Sequence, residues 1–233
     1  MKKSQLAYIY GISAILFWST AAVAFKIALK HMDFIQLLFY SSVTSGLLLF
    51  VFLGFRGELP QLLRFSRKQY LYSILLGLLN PFAYYLVLLK AYSILPAQLA
   101  QPLNYTWPIM LVLLSAPLLK QKLKLRSMVA IIISFFGVYF ISSRDAFFEF
   151  KIEQPFGIFL ATSCSVIWAL YWIFNVKDKR SEILKLSTGF IFSIPFTTLA
   201  VYLFSDFELP DANGLLASVY VGFLKWASRS FYG

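Results

Sequence analysis

Long apolar runs alternate with short polar connections along almost the whole chain. About 20 helical residues, each rising about 1.5 Å, cross a hydrocarbon layer of about 30 Å. Strands of a β-barrel would be shorter and strictly alternating. The pattern therefore predicts an all-α polytopic membrane protein. Its spans lie at Leu6–Phe25, Phe34–Leu53, Tyr70–Leu89, Ile94–Leu119, Ser127–Ser142, Phe156–Phe174 and Leu184–Phe204, and an eighth begins near Gly214.

The first run also has features of a secretory signal. Lys2 and Lys3 precede it, and the small residues Ala22, Val23 and Ala24 follow. The apolar run is longer than a typical signal core, and further spans follow it. A first transmembrane helix is therefore favoured over a cleaved signal.

Composition supports the membrane interpretation. The chain has 233 residues, of which 60% are hydrophobic and 13% charged, with a mean hydropathy of +0.73; soluble domains carry about 25% charged residues. The net charge of +11 suggests nucleic acid in a soluble protein, but retention of basic loops in the cytoplasm explains it here. The expected partners are the lipid bilayer and a small-molecule metabolite, without nucleic acid. The oligomeric state stays open.

The basic residues are distributed unequally between the two sets of loops. Sixteen of 21 fall on the side of the N-terminus, and seven of ten acidic residues fall on the other side. The basic side is expected to be cytoplasmic. This places the N-terminus and the loop Lys120–Arg126 inside, and the loop Arg144–Glu153 outside.

Five spans end at Ser142, so a second unit with the same pattern would enter the membrane from the opposite side. Gly11 and Trp18 open the first unit in "GISAILFW", and Gly157 and Trp168 open the second in "GIFLATSCSVIW". Inverted repeats are a common architecture of secondary transporters. The pattern is therefore compatible with two inverted repeats.

Polar, aromatic and proline residues gather near the centres of several spans. A proline leaves the carbonyl four residues earlier without its helical donor, which is costly in lipid. Such kinks and amide side chains are therefore expected to face protein or a water-filled pocket. The predicted walls are Tyr105, Trp107 and Trp168, the hydrogen-bonding groups are Gln98, Gln101 and Asn104, and the kinks are Pro81, Pro102, Pro108 and Pro195. For each residue alone, ordinary helix packing is an alternative.

The sequence lacks the motifs expected for ATP hydrolysis, for a proton relay within the membrane and for metal binding. There is no G-x-x-x-x-G-K-[ST] loop for ATP, no carboxylate within a predicted span and no His/Cys metal pattern; the single histidine, His31, lies in a loop. These absences favour a secondary transporter without a cofactor over an ATP-driven pump or a membrane enzyme. A multispan scaffold or sensor without transport activity is the remaining alternative.

Three stretches resemble the EamA-type drug/metabolite transporters. They are "ILFWSTAAVAFKIAL", "LNYTWPIMLVLLSAPLLKQKLKLRSMVAIIISFFGVYFI" and "IWALYWIFNV". The "NYTWP" motif is similar to the branch that includes bacterial aromatic amino-acid exporters. The resemblance implies two inverted five-helix repeats in the cytoplasmic (inner) membrane and export of amino acids or related metabolites by alternating access. It implies a central pocket around Trp18, Tyr84, Asn104, Tyr105, Trp107 and Trp168.

Compared with the ten helices of that family, this chain shows about eight. The resemblance implies a complete first repeat over residues 1–143, an incomplete second repeat over 152–222 and an aberrant tail over 223–233. The tail "FLKWASRSFYG", back-translated with permitted codons and shifted by two bases, gives Phe-Glu-Met-Gly-Ile-Thr-Phe-Phe-Leu-Trp, a form familiar from the family's eighth helix. We therefore expect the tail to be a frameshift product, with no transport activity if the second repeat is left incomplete. A natural end is the alternative.

Overall fold

The computed structural model describes residues 3–123, 125–143 and 154–230, and these residues form helices and no strands. Ten α-helices follow one another along the described chain. They are α1 Lys3–Ala28, α2 Phe34–Phe55, α3 Arg67–Gly77, α4 Tyr84–Ile94, α5 Ala97–Asn104, α6 Trp107–Leu119, α7 Leu125–Ser143, α8 Pro155–Lys177, α9 Glu182–Phe204 and α10 Ala212–Ser230.

Five helical segments in the described part of the chain are long and apolar enough to cross a membrane. They are Phe34–Phe55, Arg67–Ile94, Ala97–Leu119, Pro155–Lys177 and Glu182–Phe204, and Leu125–Gly137 is a shorter apolar helix. The all-α polytopic membrane class predicted from the hydrophobic pattern is confirmed.

Two of these helices, α2 and α3, begin with a capping box. The Asp33 carboxylate accepts from the backbone N–H groups of Ile35 and Gln36, and the Gln36 side chain accepts from the Asp33 N–H. Ser66 and Gln69 form the same reciprocal arrangement at the start of α3. Each capping box satisfies backbone donors that a helix start leaves without intrahelical partners.

The third and fourth predicted spans are interrupted helices. Between α3 and α4, the segment Leu78–Ala83 contains Asn80 in an extended conformation (φ −159°, ψ 120°), followed by a cis Asn80–Pro81 peptide bond. The fourth span breaks at a turn over Tyr105 and Thr106, where α5 ends and α6 begins. Pro96 and Ala97 lie at the start of α5, so the boundary between the two spans falls later than predicted.

The four prolines predicted as kinks therefore differ in their effects. Pro108 is the second residue of α6 and is exposed, so it starts a helix instead of bending one. First-turn N–H groups have no intrahelical partner, and a proline there removes no hydrogen bond. Pro102 lies inside α5 and Pro195 inside α9, which continues through it; the Pro195 ring is exposed, whereas Pro81 is buried.

The chain folds into two units, Met1–Phe82 with Lys179–Gly233, and Ala83–Asp178. Each unit contains helices from both predicted repeats, because α8 belongs to the second unit whereas α9 and α10 belong to the first. In the first unit α2 packs against α9 and α10, α1 packs against α10, and α3 packs against α9. The proposed repeat boundaries therefore remain a prediction about the sequence.

Polar contacts join α2 to α10 within the first unit. Ser45 Oγ donates to the Gly222 carbonyl oxygen at 2.7 Å, and Lys225 Nζ donates to Ser41 Oγ at 2.6 Å. A Cβ atom on Gly222 would lie 2.6 Å from Thr44 Cβ and 2.8 Å from the Ser41 carbonyl oxygen. The two helices therefore approach closely, and hydroxyl groups supply hydrogen bonds at their contact.

In the second unit, α4, α5 and α6 all pack against α8. Gly157, near the start of α8, is buried against the residues before α5, because a Cβ there would stand 2.7 Å from Leu95 Cγ. Ala161, Cys164 and Ala169 are fully buried along the same helix. The small residues let three helices approach α8, which becomes the centre of this unit.

Candidate functional site

Aromatic side chains from α4, α6 and α8 meet within the second unit. The Tyr84 and Trp168 rings lie 4.4 Å apart, centroid to centroid, and Trp107 lies edge-on to Trp168 at 6.5 Å. Tyr171 and Trp172 lie 5.9 Å and 6.1 Å from Trp168. We call these five residues the aromatic cluster. Trp168 is at its centre because it contacts the other four rings.

Asn104, the last residue of α5, contacts the aromatic cluster through a hydrogen bond. Its Nδ2 donates to the Tyr84 hydroxyl oxygen at 3.0 Å. The side chain is buried, and its Oδ1 atom has no hydrogen-bond partner among the described residues. The helix break at Tyr105 ends α5 at this amide, so the position of Asn104 follows from the interrupted span.

The remaining predicted residues of α5 and the following turn differ in their surroundings. Tyr92 donates its hydroxyl proton to Gln101 Oε1, which ties α4 to α5. Tyr105 is 41% exposed, at the turn between α5 and α6. Gln98 is exposed on α5, and its hydrogen-bonding role toward a substrate stays a prediction.

Three residues of α8 near the aromatic rings were not among the predicted site residues. Tyr171 and Trp172 belong to the aromatic cluster, and the Tyr171 hydroxyl donates to Asn175 Oδ1 at 3.4 Å. The signal for them was present in "WALYWIFN", because Trp168, Tyr171, Trp172 and Asn175 have the spacing i, i+3, i+4, i+7 of one helix face.

Trp18, Pro81 and Pro195 belong to the first unit. Trp18 is half-buried on α1. In the same unit an apolar cavity of about 210 Å³ lies between α2 and α9. Val43, Leu49, Leu53, Ile191 and Ile194 line it, and Ser187 is the one polar residue among the described residues of its lining.

The aromatic cluster and its neighbours carry groups suited to binding a small molecule. Its rings provide apolar faces, while Asn104, Gln101 and the tyrosine hydroxyls provide neutral hydrogen-bonding groups. Within the described ranges, no three His, Cys, Asp or Glu residues lie close enough together to hold a metal ion. The cluster residues themselves carry no formal charge at neutral pH.

These apolar helices, with amide groups and aromatic rings buried between them, define a polytopic membrane protein. The EamA-like transporter family matches residues 5–143. The chain belongs to this family, and it is a multi-pass membrane transporter by that membership. The matched range corresponds closely to the predicted first repeat.

Two individual proteins are also similar to this chain. The aromatic amino acid exporter YddG of Ancylobacter novellus is 26% identical over 218 residues, which cover 93% of this chain and 74% of the exporter. A solved crystal structure with 25% sequence identity covers 94% of this chain and 77% of its own, with a TM-score of 0.64. Both similarities extend well beyond the residues matched by the family.

Proposed function

We propose that this chain exports amino acids or related small metabolites across the cytoplasmic membrane by alternating access. The N-terminus is cytoplasmic in this proposal, and no cofactor takes part. The substrate site consists of Tyr84, Asn104, Tyr105, Trp107 and Trp168, with Gln101 contributing, all within the second unit. The similarity to an aromatic amino acid exporter supports the choice of substrate class.

The observation that carries the proposal is the buried contact between Asn104, Tyr84 and Trp168. An amide at a helix break, bonded to a tyrosine that stacks on a tryptophan, combines directional hydrogen bonding with an apolar face. Small-molecule sites generally have this composition, with a few placed polar groups in a mainly apolar and aromatic lining. Membrane helices rarely bury an amide without a partner for each of its atoms.

The test is transport of radiolabelled amino acids from loaded proteoliposomes. Asn104→Leu is expected to reduce efflux about tenfold or more, since losing one buried polar contact costs about 1–3 kcal/mol. Trp107→Ala is expected to reduce it similarly, because it removes an aromatic ring that lies against Trp168. Ser134→Ala on α7 and Phe156→Ala on α8 are matched controls at exposed or self-bonded positions.

Membrane insertion and elution profile must be the same for all four variants. If the wild type transports and both site variants transport as well as it does, then Asn104 and Trp107 have a role in helix packing and not in substrate binding. Absence of efflux by the wild-type protein, over a panel that includes aromatic, aliphatic and polar amino acids, would favour the scaffold or sensor alternative.

A further inference from the structure

The cavity between α2 and α9 is open at the surface of the first unit. Leu47 and Phe50 of α2 and Ile191 of α9 line it, and these residues are 61%, 56% and 45% exposed. Gly46 adds no side chain to the wall, and a Cβ atom there would stand 3.3 Å from Ile194 Cδ1. On membrane-spanning helices such an exposed apolar surface contacts lipid. The cavity therefore offers a lipid chain two walls, whereas the convex face of a single helix offers one.

The lining of the cavity favours an apolar occupant. The hydroxyl of Ser187 donates to the Ile183 carbonyl oxygen at 2.7 Å, within α9, and the other described lining residues have apolar side chains or none. An ordered water needs about two to four polar partners, and apolar cavities of about 150 Å³ stay dry and take up apolar molecules. The wall therefore selects a hydrocarbon chain over water or a polar solute.

The length of the cavity matches one leaflet of a bilayer. Its lining on α2 runs from Val43 to Leu53, which is about 15 Å of helix at about 1.5 Å per residue. Half of a hydrocarbon layer of about 30 Å has the same thickness. Leu53 lies close to the end of α2, and Leu62, from the connection to α3, also lines the cavity. The cavity therefore extends from the middle of the span to the membrane surface at this end.

The chain at this end of the cavity is basic. The connection between α2 and α3, with the first turn of α3, contains four basic residues and one acidic residue, a net charge of +3. Arg56 is paired with Glu58 at 2.8 Å, whereas Arg64, Arg67 and Lys68 are exposed. Basic segments next to a membrane attract anionic lipid headgroups. A phospholipid whose chain occupies the cavity would therefore have its headgroup beside a cationic segment.

We propose that the cavity between α2 and α9 binds an anionic phospholipid from the leaflet on this side, which is the cytoplasmic leaflet in the proposed topology. One acyl chain fills the cavity, and the basic residues that follow Leu62 hold the headgroup phosphate. The lipid then connects α2, α9 and the segment between α2 and α3. The aromatic cluster takes no part, so the site is independent of the solute that the protein transports.

The experiment uses photoactivatable lipids in nanodiscs that contain the purified full chain. Phosphatidylglycerol and phosphatidylcholine probes carry the same diazirine-bearing acyl chain, and mass spectrometry quantifies their cross-links to α2 and α9. Both headgroups contain a phosphate, but the choline cation of the second is repelled by the basic segment. The phosphatidylglycerol probe is therefore expected to label the cavity lining about fivefold more than the phosphatidylcholine probe.

Three variants test the place of the acyl chain. Ile191→Trp fills the cavity from α9 and Gly46→Val fills it from α2, so each should reduce labelling of the lining by both probes to the background of the other helices. Leu199→Trp is the matched control, because Leu199 lies on α9 at a 53% exposed position outside the cavity, and it should change neither signal. Unchanged elution profiles show that the variants are folded.

Two double variants test the headgroup contact. Arg64→Gln with Arg67→Gln should make labelling by the two probes nearly equal. Lys122→Gln with Arg126→Gln removes the same number of exposed charges from the chain around the start of α7 and should retain the preference for phosphatidylglycerol. Loss of the preference in both double variants would make it an effect of net charge and overturn the proposal.

Other results also overturn the assignment. Equal labelling of the wild-type lining by the two probes would identify the occupant as bulk lipid. Normal labelling of both Ile191→Trp and Gly46→Val would place the chain outside the cavity. A second copy of the chain is the alternative occupant: efficient disulfide-linked dimers of Leu47→Cys in a Cys164→Ala background, with both lipid probes excluded from the lining, would show that it covers this surface.

Discussion

Gly77 on α3 and Gly189 on α9 face each other so closely that a Cβ atom on Gly77 would stand 2.5 Å from the Gly189 carbonyl oxygen. The contact is not symmetrical. A Cβ atom on Gly189 would have its nearest neighbour at 3.8 Å, the Asn80 carbonyl oxygen. Small residues allow such close approach of membrane helices, in which packing contributes much of the association.

This asymmetry predicts unequal effects of two identical substitutions. Gly77→Ala should destabilise the first unit by about 1–3 kcal/mol, because a backbone carbonyl cannot move aside and the helices must separate. Gly189→Ala should be nearly neutral, since its Cβ would be in ordinary contact. Thermal unfolding in detergent compares the two. Similar losses from both variants would show that the helices are less close than described.

Hydrophobic pattern was sufficient to predict the helical membrane class, but not the interruptions of the helices. Pro81, Pro102, Pro108 and Pro195 all had the same local signature in the sequence. Their consequences differ because a proline is costly inside a helix and compatible with its first turn. Whether a helix restarts just before a proline depends on packing with other helices, which local sequence does not specify.

The candidate site, like the fold, could be predicted from the sequence only in part. Asn104, Trp107 and Trp168 were predicted and do lie at or beside the aromatic cluster. Gln98 was predicted with them but is exposed. Residues 97–104 form too short a helix for periodicity to indicate which side is covered. Trp172 was not predicted although it shares a helix face with Trp168, because the sequence does not show which face of α8 the neighbouring helices cover.

The capping box at the start of α2 predicts a loss of stability in Asp33→Ala. The carboxylate accepts from Ile35 N at 2.6 Å and from Gln36 N at 3.0 Å, and Ser205 Oγ also donates to it. Removing an N-cap side chain costs about 1 kcal/mol. Asp33→Asn keeps an oxygen acceptor and should retain most of the stability, which thermal unfolding can measure. Equal losses in both variants would instead indicate that the negative charge is what matters.

The charge distribution predicts which loops can be labelled from outside the cell. In a Cys164→Ala background, a cysteine introduced at Glu208 should react with a membrane-impermeant maleimide in intact cells. One introduced at Lys122 should react only after permeabilisation, because its loop is basic. Cys164 itself is buried, so the background substitution removes a poorly reactive thiol. Labelling at 122 but not at 208 in intact cells would reverse the proposed topology.

The hydrogen bond between Asn104 and Tyr84 predicts that a single hydroxyl group is important for the site. Tyr84→Phe retains the ring that stacks on Trp168 at 4.4 Å but removes the acceptor of Asn104 Nδ2. The buried amide then has neither of its polar atoms paired within the described structure, which should cost about 1–3 kcal/mol of stability. Efflux should fall as well, since the amide is free to turn away from the substrate. Tyr202→Phe, at an exposed position on α9, should change neither property.

A double-mutant cycle distinguishes this bond from a general effect of the hydroxyl group. If the hydroxyl acts by holding Asn104, then adding Tyr84→Phe to Asn104→Leu should cost much less than Tyr84→Phe costs in the wild type. Contacting residues usually show interaction energies of about 0.5–3 kcal/mol in such cycles. The difference can be measured from unfolding temperatures and, separately, from equilibrium binding of phenylalanine. Additive effects in both measurements would mean that the Tyr84 hydroxyl acts independently of the Asn104 amide, and the role of the bond in positioning Asn104 would be rejected.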